Sequence, residues 1–351
     1  MHAITTGWTD SARRNSAVGF VDTALRGAGQ VMFQDNPLTG ALFVAGITWG
    51  AIDAGMWEVA LGAVIGLVVA TVTALLLDVD ATSLRQGLYG FNGILVGAGV
   101  PTFLKIDGYM WVYLVIGAAV STVVMLAIAN VFDAWGVPAL TFPFVLTTWL
   151  LVLGAWAFTN IEPSSLGPAA LPEAPAAAAS HVDISVSMLL ETEFRNVAQV
   201  FLINNVVTGI IFVVALAVSS RWSAAFALIG SAIATGTALF VGAKGTSITS
   251  GLFGFSAVLT AIALGSIFFS PGARVFAFTV LAVIFTVIAQ GALDAAIGPF
   301  GIPTFTFPFV LVTWLFLLPK EKFVPIHHKP RRDGAIGTAP RHQPDSDGAA
   351  S

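Results

Sequence analysis

Two polar triads stand out in a chain that is otherwise strongly apolar. Asp22, Arg26 and Gln30 follow one another at intervals of four residues, and the same order and spacing recur in a second triad. Side chains spaced in this way lie on one face of a helix. Because polar groups at membrane depth are costly unless they find partners, this face is expected to point towards protein or water. The second triad consists of Glu191, Arg195 and Gln199.

Each triad combines an ion pair with an amide, and the two parts have different interpretations. The acid–Arg pairs are favoured as structural clamps that fix a helix near the membrane surface. Gln30 and Gln199 lie two turns deeper, where an amide can donate and accept hydrogen bonds without holding charge. For these two residues we favour the lining of a polar path, and we include the neighbouring Val200 in the predicted lining.

One apolar sequence occurs twice in the chain. Residues 140–150 read LTFPFVLTTWL and residues 305–315 read FTFPFVLVTWL, which are identical at nine of eleven positions. In both copies a Thr precedes a Pro by two residues, which suits the first turn of a helix, so one interpretation of Thr141 and Thr306 is a plain N-cap. The interpretation we favour is that both helices begin inside the membrane and that both hydroxyls face one central site.

Two Gly-rich segments also match. GLYGFNGILVGAG at 87–99 aligns with GLFGFSAVLTAIA at 251–263. A Gly directly precedes Phe91 in the first copy and Phe255 in the second. Close backbone packing at Gly beside an aromatic ring predicts a flat-walled slot. On the same helical face, four residues after each Phe, the segments place Leu95 and Leu259.

The composition identifies the class of protein. Of the 351 residues 56% are hydrophobic and only 10% charged, and the mean hydropathy is +0.88. Apolar runs long enough to cross a bilayer recur, which predicts an all-α polytopic membrane protein and argues against a membrane β-barrel. There is no Cys, none of the five His lies in an apolar run, and the net charge is −4, so no metal, cofactor or nucleic acid is expected. The polar N-terminus lacks the apolar core of a cleavable signal peptide.

The matching segments divide the chain into two halves. RGAGQVMFQDNPLTG at 26–40 aligns with RNVAQVFLINNVVTG at 195–209, ahead of the Gly-rich and TFPF segments in each half. A stretch rich in Pro and Ala separates the halves and is expected to be a partly disordered linker. The predicted organisation is a cytoplasmic N-terminal segment, a first membrane repeat, an extracytoplasmic linker, a second membrane repeat and a disordered cytoplasmic tail, at 1–14, 15–158, 159–189, 190–319 and 320–351.

Each half offers five crossings and one segment of another kind. The Gly-rich segment at 82–99 is predicted to be a re-entrant or broken pore helix, which membranes tolerate only where protein or a cavity surrounds it. Because five is odd, the second half is expected to be inverted, as in transporters whose substrate path lies at the repeat interface. In the first half the crossings are predicted to begin near Gly19, Pro37, Met56, Met110 and Leu140.

The distribution of basic residues supports this topology. With the N-terminus inside, eleven of the fifteen Lys and Arg fall on the inner side, in the direction of the positive-inside rule. We therefore predict a multi-pass protein of the plasma (inner) membrane with both termini in the cytoplasm. The residues assigned to the outside are Arg85, Lys105, Arg195 and Arg221.

The repeated lining limits the solute that it can pass. It offers amides, hydroxyls and aromatic faces, but no carboxylate, Lys or His. An ion would lose its hydration shell there without compensating charge. A small, neutral, planar polar solute could instead stack on Phe rings and donate its N–H groups to acceptors at its edge. An enzyme is not indicated, because nothing resembles an activated nucleophile or a set of metal ligands.

The QV-F-x-x-N-P-x-T-G-like, GL-[YF]-GF and TFPF segments, paired and in the same order in both halves, resemble the urea transporter family. The resemblance covers nearly the whole chain outside the linker and tails. It implies a homotrimer embedded in membrane lipid, in which every protomer has its own pore built from two inverted halves. It also implies passive, channel-like conduction of urea through a narrow slot of aromatic pairs, with a ladder of oxygens along one side.

The resemblance also assigns roles to single residues. It places Gln30 and Gln199 in the outer parts of the path and Thr141 and Thr306 at its middle. In the second half Leu202 occupies the place of the first-half Phe, which leaves no aromatic pair at that level. The residues that would wall the slot are Phe91, Phe255, Leu95 and Leu259, with Phe33 near one mouth.

Three other kinds of transporter match the sequence less well. An ammonium channel would use paired buried His, and an ion-coupled transporter would need a carboxylate at the midplane. An aquaglyceroporin would need two Asn-Pro-Ala turns, and only the Asn-Pro-Leu at 36–38 comes close. A channel for other small neutral amides or polyols and an ion-coupled small-solute transporter therefore remain the alternatives to urea conduction.

Overall fold

The computed structural model describes residues 8, 11–12, 14–164 and 182–320. Within these ranges the chain is helical and contains no β-strand, and its extended pairing is a single bridge between Leu104 and Pro163. The predicted linker lies largely outside the described residues, as do the N-terminal segment and the tail beyond residue 320. Their predicted boundaries therefore stay predictions.

The two halves contain the same series of helices. The first half consists of α1 Ser16–Gln30, α2 Pro37–Asp53, α3 Trp57–Leu76, α4 Ala81–Arg85, α5 Phe91–Phe103, α6 Gly108–Asp133 and α7 Phe142–Ala155. The second half consists of α8 Val186–Ala198, α9 Val206–Ser219, α10 Arg221–Phe240, α11 Gly245–Thr249, α12 Phe255–Ile262, α13 Ala273–Ile297 and α14 Phe307–Leu317. The order of these helices agrees with the repeat predicted from the sequence.

Unusual backbone conformations also recur at equivalent positions. Phe33 and Leu202 both adopt left-handed conformations, with φ of 64° and 63°. Such angles are uncommon for large side chains, so their recurrence in pairs indicates that the two halves share local backbone geometry as well as sequence. The other equivalent pairs with positive φ are Asp78 and Gly242, Gly87 and Gly251, Gly136 and Gly301, and Leu140 and Phe305.

Local sequence explains where several helices begin. The side chain of Asn36 accepts hydrogen bonds from the first turn of α2, and Asn205 caps α9 in the same way. Pro37 occupies the first position of α2, where its missing N–H leaves no bond unmade. An Asn side chain at the N-cap satisfies backbone donors that a helix start would otherwise leave unpaired.

The helices are long and apolar enough for a multi-pass membrane protein. Among the described residues, α3, α6, α10 and α13 each have the length and hydropathy of a bilayer crossing. The segments 186–201 and 206–219 pass the same test only together, and they are bent by 76°. This bend separates α8 from α9.

The Gly-rich segment of the first half is broken, as predicted, but it does not turn back on itself. Its glycines let α5 pack directly on α3: a Cβ on Gly66 would lie 2.2 Å from the carbonyl oxygen of Gly93, and one on Gly62 would lie 2.3 Å from that of Gly97. The helix α5 thus runs beside α3 towards the start of α3. The re-entrant assignment of 82–99 is therefore corrected, because its glycines serve close helix packing rather than a reversal of the chain.

The direction of α6 supports this correction. Leu114 lies beside Gly62, and the Thr122 hydroxyl donates to the Ala70 carbonyl at 3.1 Å, so α6 runs parallel to α3. Hence α6 begins at the end of the bundle where α3 begins and where α5 stops. We call this the distal end, and the opposite end, which holds α4, the proximal end.

The first two helices also differ from the prediction of two separate crossings. The N-terminal part of α1 lies at the proximal end, because Gly19, Asp22 and Arg26 line a cavity together with Arg85 of α4. Further along α1, a Cβ on Gly27 would lie 3.1 Å from the Leu67 side chain, half-way along α3. Since α2 ends just before α3 begins, α1 and α2 together lead from the proximal to the distal end.

Candidate functional site

Two threonine hydroxyls meet at the interface between the halves. The Oγ1 atoms of Thr141 and Thr306 are 2.6 Å apart and form a hydrogen bond in which either can donate. The side chains are buried, and neither caps its own helix. The simple N-cap interpretation is therefore wrong for both residues. A contact this short leaves no room for a solute between the two oxygens.

The chain approaches each threonine through a tight turn. Leu140 and Phe305, the residues directly before the two threonines, have φ of 55° and 47°. In α7 the N–H of Phe144 donates to the Asn92 side chain of α5 at 3.0 Å, so a neighbouring helix supplies the cap that Thr141 does not. The turn and this borrowed cap free the Thr141 hydroxyl to face the other half.

Two tryptophans connect the halves around the hydroxyl pair. The indole N–H of Trp149 donates to the carbonyl of Pro303 at 2.8 Å, and that of Trp314 donates to the carbonyl of Pro138 at 2.8 Å. The two bonds join equivalent residues of the two halves, in opposite directions. Each joins the helix that carries one threonine to the chain that leads to the other.

A second pair of reciprocal bonds joins α2 to α9. The Thr39 hydroxyl donates to the carbonyl of Ala215 at 2.9 Å, and the Thr208 hydroxyl donates to that of Gly46 at 2.8 Å. Each bond thus has a counterpart in which the two halves change places, which is the pattern of contacts between two-fold related units. The hydroxyl pair lies where a residue meets its own equivalent.

The two predicted glutamines also make equivalent bonds. The Nε2 atom of Gln30 donates to the carbonyl of Gln86, and that of Gln199 to the carbonyl of Ser250, both at 2.8 Å. The Oε1 atom of Gln30 is buried and has no hydrogen-bond partner within the described residues. An unpaired buried acceptor is costly, so this oxygen is suited to a polar solute or a water molecule.

Both predicted ion pairs are present. The Arg26 side chain bonds to Asp22 at 2.7 Å and also to Asp35 at 2.6 Å. The guanidinium of Arg195 bonds to Glu191 at 2.9 Å and donates to the backbone carbonyl of Thr249. Both pairs hold a helix to neighbouring chain, which agrees with the structural interpretation.

A polar cavity of about 500 Å³ opens at the proximal end, beside the Gln30–Gln86 bond. Trp8 donates its indole N–H to Asp22 at 2.6 Å, so the N-terminal segment reaches this region. The cavity provides a wide, polar approach to the buried glutamine. Its lining consists of Ala12, Gly19, Asp22, Thr23, Arg26, Asp35, Thr82, Arg85 and Gln86.

The predicted apolar wall residues are buried inside the bundle. Phe91 and Phe255 are the first residues of α5 and α12, and the two Leu that follow each of them by four positions are fully buried. The ring of Phe33 packs at 6.0 Å against Phe268 and Phe309 rather than against another predicted wall residue. None of the ten predicted lining residues exceeds 9% exposure, Val200 included.

Comparison with known proteins identifies the family. A family model described as urea transporter matches residues 21–321. The chain belongs to the urea transporter family. Its members are transporters and not enzymes, and this chain has the helices of a multi-pass membrane protein.

The curated relatives carry the same name. Urea transporter 1 of Ovis aries is 31% identical over 317 residues, which cover 90% of this chain and 80% of that protein. Urea transporter 1 of Capra hircus is 30% identical over the same share of both chains. Urea transporter 1 of Rattus norvegicus is 31% identical over 302 residues, or 85% of this chain and 77% of that protein. The family resemblance inferred from the paired motifs is therefore confirmed.

Sequence reasoning about the site overlooked several residues that the structure brings to it. Asn92, Trp149 and Trp314 contact the helices or turns that carry the threonines, but they were not predicted to do so. A signal existed for the tryptophans, since both copies of the repeated string end in TWL. No such signal existed for Asn92, because Ser256 stands at the equivalent position of the second half.

Proposed function

We propose that the protein conducts urea passively, as a channel, through an uncharged slot between its two halves. The family supports urea as the solute, and the ten predicted lining residues carry no ionisable side chain. The observation that carries the proposal is the contact between the Thr141 and Thr306 hydroxyls. It brings one small hydrogen-bonding group from each half together at a point where the surrounding buried side chains are largely apolar.

The short distance between the hydroxyls suggests how urea passes them. Since no solute fits between the oxygens, urea moves beside the pair, with both hydroxyls along one edge of the planar molecule. One hydroxyl proton is engaged in the mutual bond, and the second proton and the lone pairs remain for the carbonyl and N–H groups of urea. The flat faces of urea then contact apolar and aromatic side chains, among them the predicted wall residues.

Backbone oxygens extend this polar edge in the proposed path. The last carbonyls of a helix have no partner within that helix. The helix α1 ends at Gln30, and the second half has its equivalent end at Gln199, where the following Val200 begins the turn to Leu202. Because α1 enters from the proximal end and stops half-way along α3, we assign the re-entrant role to α1 and α8 instead of to the Gly-rich segments.

The inverted arrangement of the halves is part of the proposal. The first half leads from the proximal to the distal end, where Lys105 and Glu162 form an ion pair after α5 and α7. The second half ends with Lys320, which donates to the carbonyl of Gly136 beyond the end of α6, at the proximal end. Each half then makes five crossings. The helices α3 and α6 each form one alone, α1 forms one together with α2, α4 together with α5, and α7 together with the extended chain before it.

This path changes the predicted sides of some basic residues. Arg85 moves to the proximal side, because it lines the same cavity as Arg26. Arg221 begins α10, the equivalent of α3, and since α3 begins at the distal end, we place Arg221 at the proximal end of the inverted second half. Lys244 moves to the distal side with Arg195. Among the described residues, the proximal side then holds more Lys and Arg than the distal side, which supports a cytoplasmic proximal end and an inner-membrane location. The homotrimer implied by the resemblance remains part of this proposal.

Solute flux into reconstituted vesicles tests the proposed function. Vesicles that contain the protein are expected to equilibrate urea faster than protein-free vesicles, and to discriminate against glycerol and ammonium. Because the lining has no titratable group, a proton or sodium gradient is expected to change the rate little and to produce no accumulation. Urea concentrated above its external level in gradient-loaded vesicles would instead establish ion-coupled transport.

A further inference from the structure

We infer that Trp149 and Trp314 are positioning residues that set the width of the constriction at the two threonines, and so the size selectivity among amides. This inference rests on the proposed path beside Thr141 and Thr306. The two indoles do not bond to the threonine hydroxyls. They act on the threonine turns through the two proline carbonyls.

The two indole bonds form a closed circuit with the hydroxyl pair. Starting at Thr141, α7 leads to Trp149, which bonds to the carbonyl of Pro303, three residues before Thr306. From there α14 leads to Trp314, which bonds to the carbonyl of Pro138, three residues before Thr141. Because each bond spans the interface, the pair fixes how far the two threonine turns can separate.

These turns need support from outside. Leu140 and Phe305 adopt left-handed conformations that large side chains rarely take, and such conformations persist only where the surroundings hold them. Proline has no N–H to contribute to the turn, but its carbonyl is a full acceptor. The indole N–H of the tryptophan donates to this carbonyl and so holds the turn from the other half.

Ring contacts make the circuit stiff. Trp149 lies edge-on to Phe307 at 5.2 Å, and Trp314 lies edge-on to Phe142 at the same distance. Phe142 and Phe307 in turn contact each other across the interface at 5.9 Å. The four rings belong to the first and third turns of α7 and α14, so the threonines cannot separate without disturbing this cluster.

The two tryptophans are not equally suitable for a test. Trp314 also stacks on Phe132 at 4.3 Å with an interplanar angle of 19°, so its ring has a second anchor. The corresponding position in the second half is Ile297, which offers Trp149 no such ring. Trp149→Phe is therefore the primary variant, because it keeps an aromatic ring beside Phe307 and removes the N–H donor.

The experiment compares two solutes in the same vesicles. Flux of urea and of the broader N,N′-dimethylurea is measured for wild type, Trp149→Phe, Trp314→Phe and the double variant. A wider constriction is expected to raise the ratio of dimethylurea to urea flux by about two- to twelvefold in Trp149→Phe, the range that one lost neutral hydrogen bond corresponds to. Trp156→Phe, directly after α7, is the matched control, because its side chain is 49% exposed, and its ratio is expected to equal that of wild type.

The ratio separates positioning from a loss of folded protein. Fewer active channels lower both fluxes equally, so an unchanged ratio in both single variants would overturn the inference. If Trp149→Phe fails to reach the membrane, Trp314→Phe, which keeps its stacking on Phe132, decides by the same ratio.

A second measurement does not depend on transport. The chain has no Cys, so Thr141→Cys with Thr306→Cys introduces one isolated thiol pair. Disulfide formation between these thiols is expected to be slower when Trp149→Phe is added, and an unchanged rate would count against the inference. Failure of the proposed function is recognised separately, as wild-type vesicles that pass urea no faster than protein-free ones.

Discussion

Thr141 and Thr306 illustrate how a residue that usually caps a helix can serve another purpose. Each stands at the N-cap position of its helix, yet each hydroxyl bonds to the other threonine and leaves the backbone donors to other groups. Thr141 can do so because Asn92 of α5 accepts the Phe144 N–H. The residue type alone therefore did not distinguish the two roles, and the contact with a neighbouring helix decided between them.

A hydroxyl deletion tests the role of this pair. In Thr141→Val or Thr306→Val the side chain keeps its approximate size but loses its hydrogen bond, which is worth about 0.5–1.5 kcal/mol. If this loss falls on the rate-limiting barrier, urea flux per reconstituted protein is expected to fall about two- to twelvefold. Flux is measured as urea efflux from vesicles that contain equal amounts of protein.

Thr122→Val is the matched control for this pair. Its buried hydroxyl also bonds across two helices, to Ala70, but lies away from the predicted path. Urea flux in this variant is expected to match wild type. Equal flux in all four proteins would mean that the Thr141 and Thr306 hydroxyls only hold the two halves together.

At the scale of helices, the contact between α3 and α5 is one that depends on glycine. A Cβ on Gly66 would lie 2.2 Å from the Gly93 carbonyl oxygen and 2.9 Å from Gly97 Cα, both of which are backbone atoms. Backbone cannot move aside as a flexible side chain can, so Gly66→Ala must push the two helices apart. Overpacking of this kind typically costs about 1–3 kcal/mol.

We expect Gly66→Ala to lower the midpoint of thermal unfolding of the detergent-solubilised protein, measured by tryptophan fluorescence. Gly236→Ala is the comparison, since a Cβ at that position of α10 meets no atom within 4 Å. An unaltered midpoint in Gly66→Ala would show that α3 and α5 are less tightly packed than these distances indicate.

The helices themselves were largely predictable, and their roles were not. Repeated strings and apolar runs predicted the order of the matching segments and, closely, the starts of α2 and α7. We propose that α1, and not the segment that contains α5, is re-entrant. Glycine signals both a chain break and a close helix contact, and a single sequence does not separate these uses. The bonds from Trp149 to Pro303 and from Trp314 to Pro138 join distant parts of the chain, so no local pattern reveals them.

At the scale of the whole molecule, the proposed path of the chain makes a prediction about sidedness. Thr82 lines the proximal cavity, whereas Ser164 follows the Lys105–Glu162 pair at the distal end. The chain contains no Cys, so Thr82→Cys and Ser164→Cys each provide a single thiol. In intact cells a membrane-impermeant maleimide is expected to label the Ser164→Cys protein and not the Thr82→Cys protein.

Labelling of permeabilised cells is the internal control, because both thiols are then expected to react. Reaction of both thiols in intact cells would place α4 on the side of the linker, which is the side first predicted for Arg85. That result would restore α1 and α2 as two separate crossings and would remove the basis for assigning α1 the re-entrant role.

The mutual bond of the two threonine hydroxyls also affects protons. Because each hydroxyl already bonds to the other and the neighbouring walls are aromatic and aliphatic, the pair would hold fewer ordered waters between passages of solute than two separate hydroxyls. A continuous file of water molecules along the path would therefore be interrupted at its centre. Protons hop along such files from one water to the next, so in the proposed channel this break would let a neutral nitrogen compound pass without a leak of protons across the membrane.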